Sequence, residues 1–182
     1  MTASDTAFVA LYEKYYRRVY AYCRRRVSLD RVDDAVADVF LVVWRRIADV
    51  PEGDATLSWL YNVAYRVLGH QYRGRKRRRQ LEKKLTAIGV EPASPADEYI
   101  VQREELNQVL DALSRLRSRE QEILRLSLWE ELSHVEIASI LEISIDAAKQ
   151  RLSRARKSLA REFQELETKK SSPPAAQKGG AW

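Results

Sequence analysis

Apolar residues recur along this chain at spacings of three and four, the period of a helix that buries one face. Phe8, Leu11, Tyr12, Tyr15, Val19 and Tyr22 predict a first helix over Phe8–Val27, with Lys14, Arg17, Arg18 and Arg24 off the stripe. Ser28–Arg31 breaks the pattern. Asp33 or Asp34 is placed to cap a second helix carrying Val36, Phe40, Val43, Trp44 and Ile47. The turn-rich Val50–Thr56 separates it from a third helix, roughly Leu57–Arg79, whose Leu57, Leu60, Tyr61, Ala64, Tyr65, Val67, Leu68 and Tyr72 form the core half. Trp59, Asn62, Arg66, His70 and Arg73 collect on the other side.

Beyond Gln80 the periodicity lapses, and Gly89–Asp97 has the Gly, Ser and Pro content of a flexible linker. It resumes in Glu98–Leu116, with Val101, Leu106, Val109, Leu110, Leu113 and Leu116 as the apolar side. Ser118 and Gln121 have the S-x-x-Q spacing that opens a further helix, with Ile123, Leu124 and Leu128 turned inward.

The sharpest local signals lie in Leu132–Glu162. Ser133 and Glu136 form an S-x-x-E capping box flanked by Leu132 and Ile137 at the staple positions, so a short helix should run to about Leu141. After the turn at Glu142 and Ile143, Ser144 is set to cap a last helix with one apolar stripe, Ile145, Ala148, Leu152, Ala155 and Leu159. Advancing 100° per residue puts Asp146, Gln150, Ser153, Arg154, Lys157 and Arg161 around the opposite side, with Lys149 and Arg151 on the flanks. A short helix docked by its inner stripe and showing Lys, Gln, Ser and Arg outward is the helix-turn-helix arrangement for the major groove. Arg and Lys reach guanine or phosphate there, and Gln pairs with adenine.

Charge sharpens this picture. The 182 residues carry a formal charge of +6, and the excess is local: residues 59–79 hold seven basic groups and no acid, six of them within Arg73–Arg79. Such a run is an electrostatic footprint for phosphate. One cysteine, Cys23, and two histidines assemble neither a disulfide framework nor a zinc site within one chain. No metal or other cofactor is called for, and no P-loop or nucleophile with a matching base suggests an enzyme. Without a signal peptide or an apolar run of 18 residues, the expected compartment is the cytoplasm, with no membrane insertion.

Two stretches carry a resemblance. Leu116–Leu124 (L-x-x-R-E-x-E-I-L), then L-S-x-x-E-I-A-x-I-L, I-S and K-x-R-L-S-R-A-R, resemble the C-terminal promoter-binding domain of bacterial RNA polymerase sigma factors of the extracytoplasmic-function (ECF) group. Asp34–Trp44 is similar to that family's helix for the clamp coiled coil of the largest polymerase subunit. Trp59-L-Y-N-V-A-Y-R-V-L with the arginines after it is similar to the helix that opens the minus-ten element. The sequence departs from the family at Ala37 (usually Gln), at Tyr65-Arg66 (usually Arg-Asn) and at Glu142 (usually Gly). If position 142 is left-handed, Glu costs about 1 kcal/mol relative to Gly.

The resemblance implies an all-α chain of two small helical domains, an N-terminal domain over 1–80 and a C-terminal helix-turn-helix domain over 98–167. Composition makes 81–97 a flexible linker between them and the aperiodic Pro-, Gly-, Ser- and Lys-rich 168–182 a disordered tail. The resemblance also implies a transcription initiation factor, with core RNA polymerase (the clamp coiled coil and the flap of the second-largest subunit), promoter DNA and an anti-sigma factor as partners. The residues it assigns are Asp34, Asp38, Phe40, Trp44 and Arg45 for polymerase. For the minus-ten element they are Trp59, Asn62, Arg66, Arg73, Arg75, Lys76 and Arg77, and for the minus-thirty-five element Lys149, Gln150, Arg151, Ser153, Arg154, Lys157 and Arg161. Trp59 suits stacking on an exposed base or packing within its own domain. A dimeric helix-turn-helix operator-binding regulator and a helical adaptor for acidic partners fit the same basic faces.

Overall fold

The computed structural model of the chain describes residues 3–85 and 104–171, with side chains over 4–75 and 107–168. The expected linker segment 86–97 and tail segment 172–182 lie outside the described residues. Seven helices and no strand make up the described part: α1 (Ala3–Arg24), α2 (Val32–Arg45), α3 (Ala55–Leu85), α4 (Glu104–Arg115), α5 (Ser118–Leu128), α6 (His134–Leu141) and α7 (Ile145–Ser171). Two compact units result, one built on α1–α3 and the other on α4, α5 and α7.

In the first unit the three helices pack pairwise. Val19, Tyr22 and Cys23 of α1 meet Val36, Val39 and Val43 of α2 and Leu60, Tyr61 and Ala64 of α3 in a core where each is at most 5% exposed. Tyr22 stacks on Tyr61 at 5.0 Å between ring centroids. Burial pushes the Cys23 thiol up to about 12, so it stays protonated and serves as a small core hydrophobe. Phe8, Tyr12 and Tyr16, one turn apart on α1, run along α2 and contact Phe40.

Several helix ends differ from the sequence expectation. Helix α1 begins at Ala3 and stops at Arg24. Neither Asp33 nor Asp34 caps α2: a 3-10 turn over Leu29–Arg31 leads straight into the helix, and both acids sit in its first turn, where they favour the positive end of the dipole. Helix α3 continues through the basic run to Leu85, five residues past the expected domain edge; Tyr72, assigned to its core half, is 65% exposed. The loop before α3 is pinned by Gly53 in the left-handed region (φ 68°) and by Thr56, whose hydroxyl donates to the Pro51 carbonyl at 2.6 Å.

The second unit buries Ala112, Leu113 and Leu116 with Ile123, Leu124 and Leu126 and with Ala148, Leu152 and Ala155 of α7. Leu128, expected inward, is exposed, and Leu126 takes that place. The expected Ser118–Gln121 box is replaced by a neighbouring register. Helix α5 starts one residue earlier in capping terms, with Arg117 as the cap whose N–H donates to the Glu120 carboxylate. Gln121 instead donates to the carbonyls of Ser114 and Leu116, tying off the end of α4.

Candidate nucleic-acid and polymerase interfaces

Both ends of α6 and the start of α7 are fixed by hydrogen bonds that the local sequence dictates. The Ser133 N–H donates to the Glu136 carboxylate at 2.8 Å, and the Glu136 N–H donates back to the Ser133 hydroxyl at 3.3 Å, closing the capping box. At the far end Ile143 N–H donates to the Ala138 carbonyl and Glu142 N–H to that of Ser139, the pair of bonds of a Schellman ending. Its left-handed position is Glu142, at φ 54°. Ser144 then accepts from the Ala147 N–H at 3.1 Å and starts α7.

Helix α7 divides cleanly. Ala148, Leu152 and Ala155 are at most 2% exposed, whereas Lys149, Gln150, Arg151, Ser153, Arg154, Lys157 and Arg161 are all exposed. Ile145, expected to begin the inner stripe, is 43% exposed, because α7 has only just left the turn and its first residue is not yet covered. The helix is held in place by Ser158, whose hydroxyl donates to Glu120 of α5 at 2.9 Å. The outer face is a row of donors, bordered at its start by Asp146, which stands 3.9 Å from Lys149.

In the first unit α2 buries Val36, Val39, Phe40 and Val43 and leaves Asp34, Asp38, Trp44 and Arg45 outward. Phe40, expected among the partner-facing residues, is 4% exposed and belongs to the core. The residue beside it, Leu41, is 47% exposed and shares a face with Asp34, Ala37 and Asp38. The phase of the buried residues carries that signal: with 39, 40 and 43 inside, 41 points out. Trp44 is 41% exposed and meets Phe8 edge-on at 5.0 Å. Asp38 accepts a hydrogen bond from Gln71 of α3 at 2.7 Å, and the two helices frame a cleft of about 660 Å³ lined by Asp34, Ala37, Asp38, His70, Gln71 and Arg75. Gln71 was not among the expected residues, since a contact across 33 positions has no local signature.

On α3, Arg66, His70 and Arg73 are exposed along one face, and Trp59 and Asn62 at its start are half-buried. The Arg46 guanidinium, held by Asp49 at 2.9 Å, lies 5.5 Å from the centre of the Trp59 ring. Arg75 is half-buried and donates to the Gln71 carbonyl. Lys76 and Arg77 continue the same helix, with side chains outside the described residues.

Family models match both halves. Residues 11–78 match Sigma-70 region 2 and residues 106–159 match Sigma-70, region 4. The RNA polymerase sigma factor NccH of Alcaligenes xylosoxydans xylosoxydans is 31% identical over 135 residues, which cover 70% of each chain. This chain belongs to the sigma-70 family, in its ECF group. The ECF RNA polymerase sigma factor SigK of Mycobacterium sp. (strain KMS) is 26% identical over 151 residues, 80% of this chain and 77% of that one. The sigma factor RpoE of Bartonella quintana, solved with the anti-sigma factor NepR, shares the fold with a TM-score of 0.67 at 22% identity, covering 86% of this chain and 96% of that chain. The sigma factor described here is a transcription initiation factor that directs RNA polymerase to promoters, and none of its described helices is long and apolar enough to cross a membrane.

Proposed function

We propose a division of labour among the exposed faces of this sigma factor. The α2 face of Asp34, Asp38, Leu41, Trp44 and Arg45 docks on the clamp coiled coil of the largest polymerase subunit. The second unit engages the flap of the second-largest subunit and reads the minus-thirty-five element through α7. Helix α3 takes the minus-ten strand, with Trp59 and Asn62 against bases and Arg66, Arg73, Arg75, Lys76 and Arg77 against phosphates. Residues 1–80 and 98–167 are the working domains, and 81–97 connects them. The protein acts in the cytoplasm and supplies binding energy and geometry, leaving catalysis to the polymerase.

The observation that carries this reading is the split of α7, three side chains sealed in the core and seven polar or cationic ones presented together. A helix held from behind in this way reads base edges with its outer face. An anti-sigma factor, the partner with which the Bartonella quintana relative was solved, would act by covering these faces.

The test is transcription in vitro. The purified chain is added to core polymerase on fragmented genomic DNA, and transcript start sites are sequenced. Start sites sharing two upstream motifs at fixed spacing support the assignment. Start sites without a common motif, or none above core polymerase alone, overturn it.

A further inference from the structure

Helix α1 and the turn after it carry charge that whole-domain counting hides. Lys14–Arg26 holds six cations, and no acid occurs until Asp30. Advancing 100° per residue, Lys14, Arg17, Arg18, Arg24 and Arg25 fall within an arc of about 120°. The buried Val19, Tyr22 and Cys23 lie on the other side. Lys14, Arg17 and Arg18 are exposed; Arg24 and Arg25 are half-buried. The stripe is about 16 Å long at the helical rise, enough to follow several phosphates of one strand. Glu13, a turn before Arg17, is the acid that borders it.

Its position in the first unit gives it an occupant. Arg18 and Arg25 form the edge of the stripe next to Tyr22, and Tyr22 is the residue that stacks on Tyr61 of α3. Tyr61, buried like Tyr22, lies between Trp59 and Asn62 in the sequence, so the stripe flanks the same α1–α3 junction from which the start of α3 assigned to bases emerges. Arg26 closes the junction, its guanidinium 3.6 Å from the centre of the Tyr22 ring and donating to the Tyr22 carbonyl at 3.0 Å. We infer that the basic stripe of α1 is a second DNA-binding surface of the first unit, a track for the phosphate backbone of promoter DNA flanking the stretch held by α3. The inference rests on the assignment of α3 to promoter DNA. A polyanion suits the site better than an acidic protein patch. The cations repeat along one line, and the apolar residue within their arc, Ala21, is too small to anchor a protein partner.

The experiment measures promoter affinity of the holoenzyme against salt. The variant is Lys14→Gln, Arg17→Gln and Arg18→Gln together. Each phosphate left without its cation should lower the slope of log affinity against log salt by about 0.7 on single-stranded and about 0.9 on duplex DNA. The triple variant should therefore show a slope shallower by about two units on single-stranded and nearly three on duplex DNA, and between 50 and 200 mM salt its affinity should fall roughly twentyfold to fortyfold less than the parent's. Base preference and capture of core polymerase without DNA should be unchanged, and Arg17→Lys with Arg18→Lys should keep the parent slope. A slope equal to the parent's overturns the inference, as does loss of core capture, which would make the stripe a polymerase contact. Should the triple variant melt early, the three single variants carry the same test, each by the slope of one phosphate. A parent holoenzyme that showed no promoter preference would overturn the α3 assignment itself, a failure visible before any variant is made.

Discussion

Glu142 shows how much one residue's environment decides. It stands at the left-handed position that ends α6, at φ 54°, where a Cβ crowds the backbone and glycine does not. Replacing it, Glu142→Gly, should raise stability by about 1 kcal/mol, read as a higher urea midpoint at unchanged slope; a lower midpoint would show that the glutamate is held by something stronger than its strain. The position could be anticipated only through the resemblance, because the family commonly has Gly where this chain has Glu142. The Ser133–Glu136 box was legible from the residues themselves: both partners lie within one turn. The Ser118–Gln121 box failed because Glu120 stands one residue nearer and accepts from the N–H of Arg117, which becomes the cap, freeing Gln121 to close α4. Local patterns rank neighbouring registers poorly when both offer a carboxylate or amide. The left-handed Glu131 (φ 55°) went unseen, as no glycine marked it.

Among the elements, α2 and α7 each bury one face and expose the other, and their inner faces were easier to read than their outer ones. A buried stripe is enforced by hydrophobic periodicity, whereas an exposed residue acquires its role from a partner the chain does not contain. Phe40, which the periodicity put on the apolar stripe and the resemblance assigned to polymerase, lies in the core, and Leu41, which neither singled out, is exposed. Exchanging the charges of α2, Asp38→Arg with Arg45→Asp, should weaken capture of core polymerase while leaving the helical circular dichroism and melting temperature close to the parent's. Asp38 also holds Gln71 at 2.7 Å, an exposed bond worth about 0.5–1.5 kcal/mol, so Gln71→Ala is the control that separates lost positioning from lost charge. A folded double variant that still captures polymerase fully would remove α2 from the interface. On α7 the contrast is between bases and phosphates. Replacing Lys157 or Arg161 with Ala should weaken all promoters alike and reduce the salt slope by about 0.9 per phosphate released, with base preferences unchanged.

For the whole molecule, the all-helical division into two units was legible in the lapse of periodicity after the third helix. The end of α3 was not: the helix expected to close at Arg79 runs on to Leu85, through residues 80–85 that suit a helix but are too few to show a periodic apolar stripe. If both units engage one promoter, as proposed, the first to engage raises the effective concentration of the second. That arrangement predicts how losses combine. Arg154→Ala should cost about 1–3 kcal/mol on a promoter with its preferred minus-thirty-five element. It should cost little on one whose element is scrambled, because the base contact it removes is already gone; the two changes act on one interaction and are not additive. Trp59→Ala acts on the other unit and on other bases, so its cost should be the same, within about 0.5 kcal/mol, on both promoters. The measurement is a set of holoenzyme affinities for the parent and the two variants on the intact and scrambled promoters at one salt concentration. If Arg154→Ala costs as much on the scrambled promoter as on the intact one, Arg154 grips phosphate, and the reading of bases belongs to its neighbours on α7, Lys149, Gln150 and Ser153. If the cost of Trp59→Ala depends on the upstream element, the two units do not read independently, and the tether does more than concentrate one beside its site.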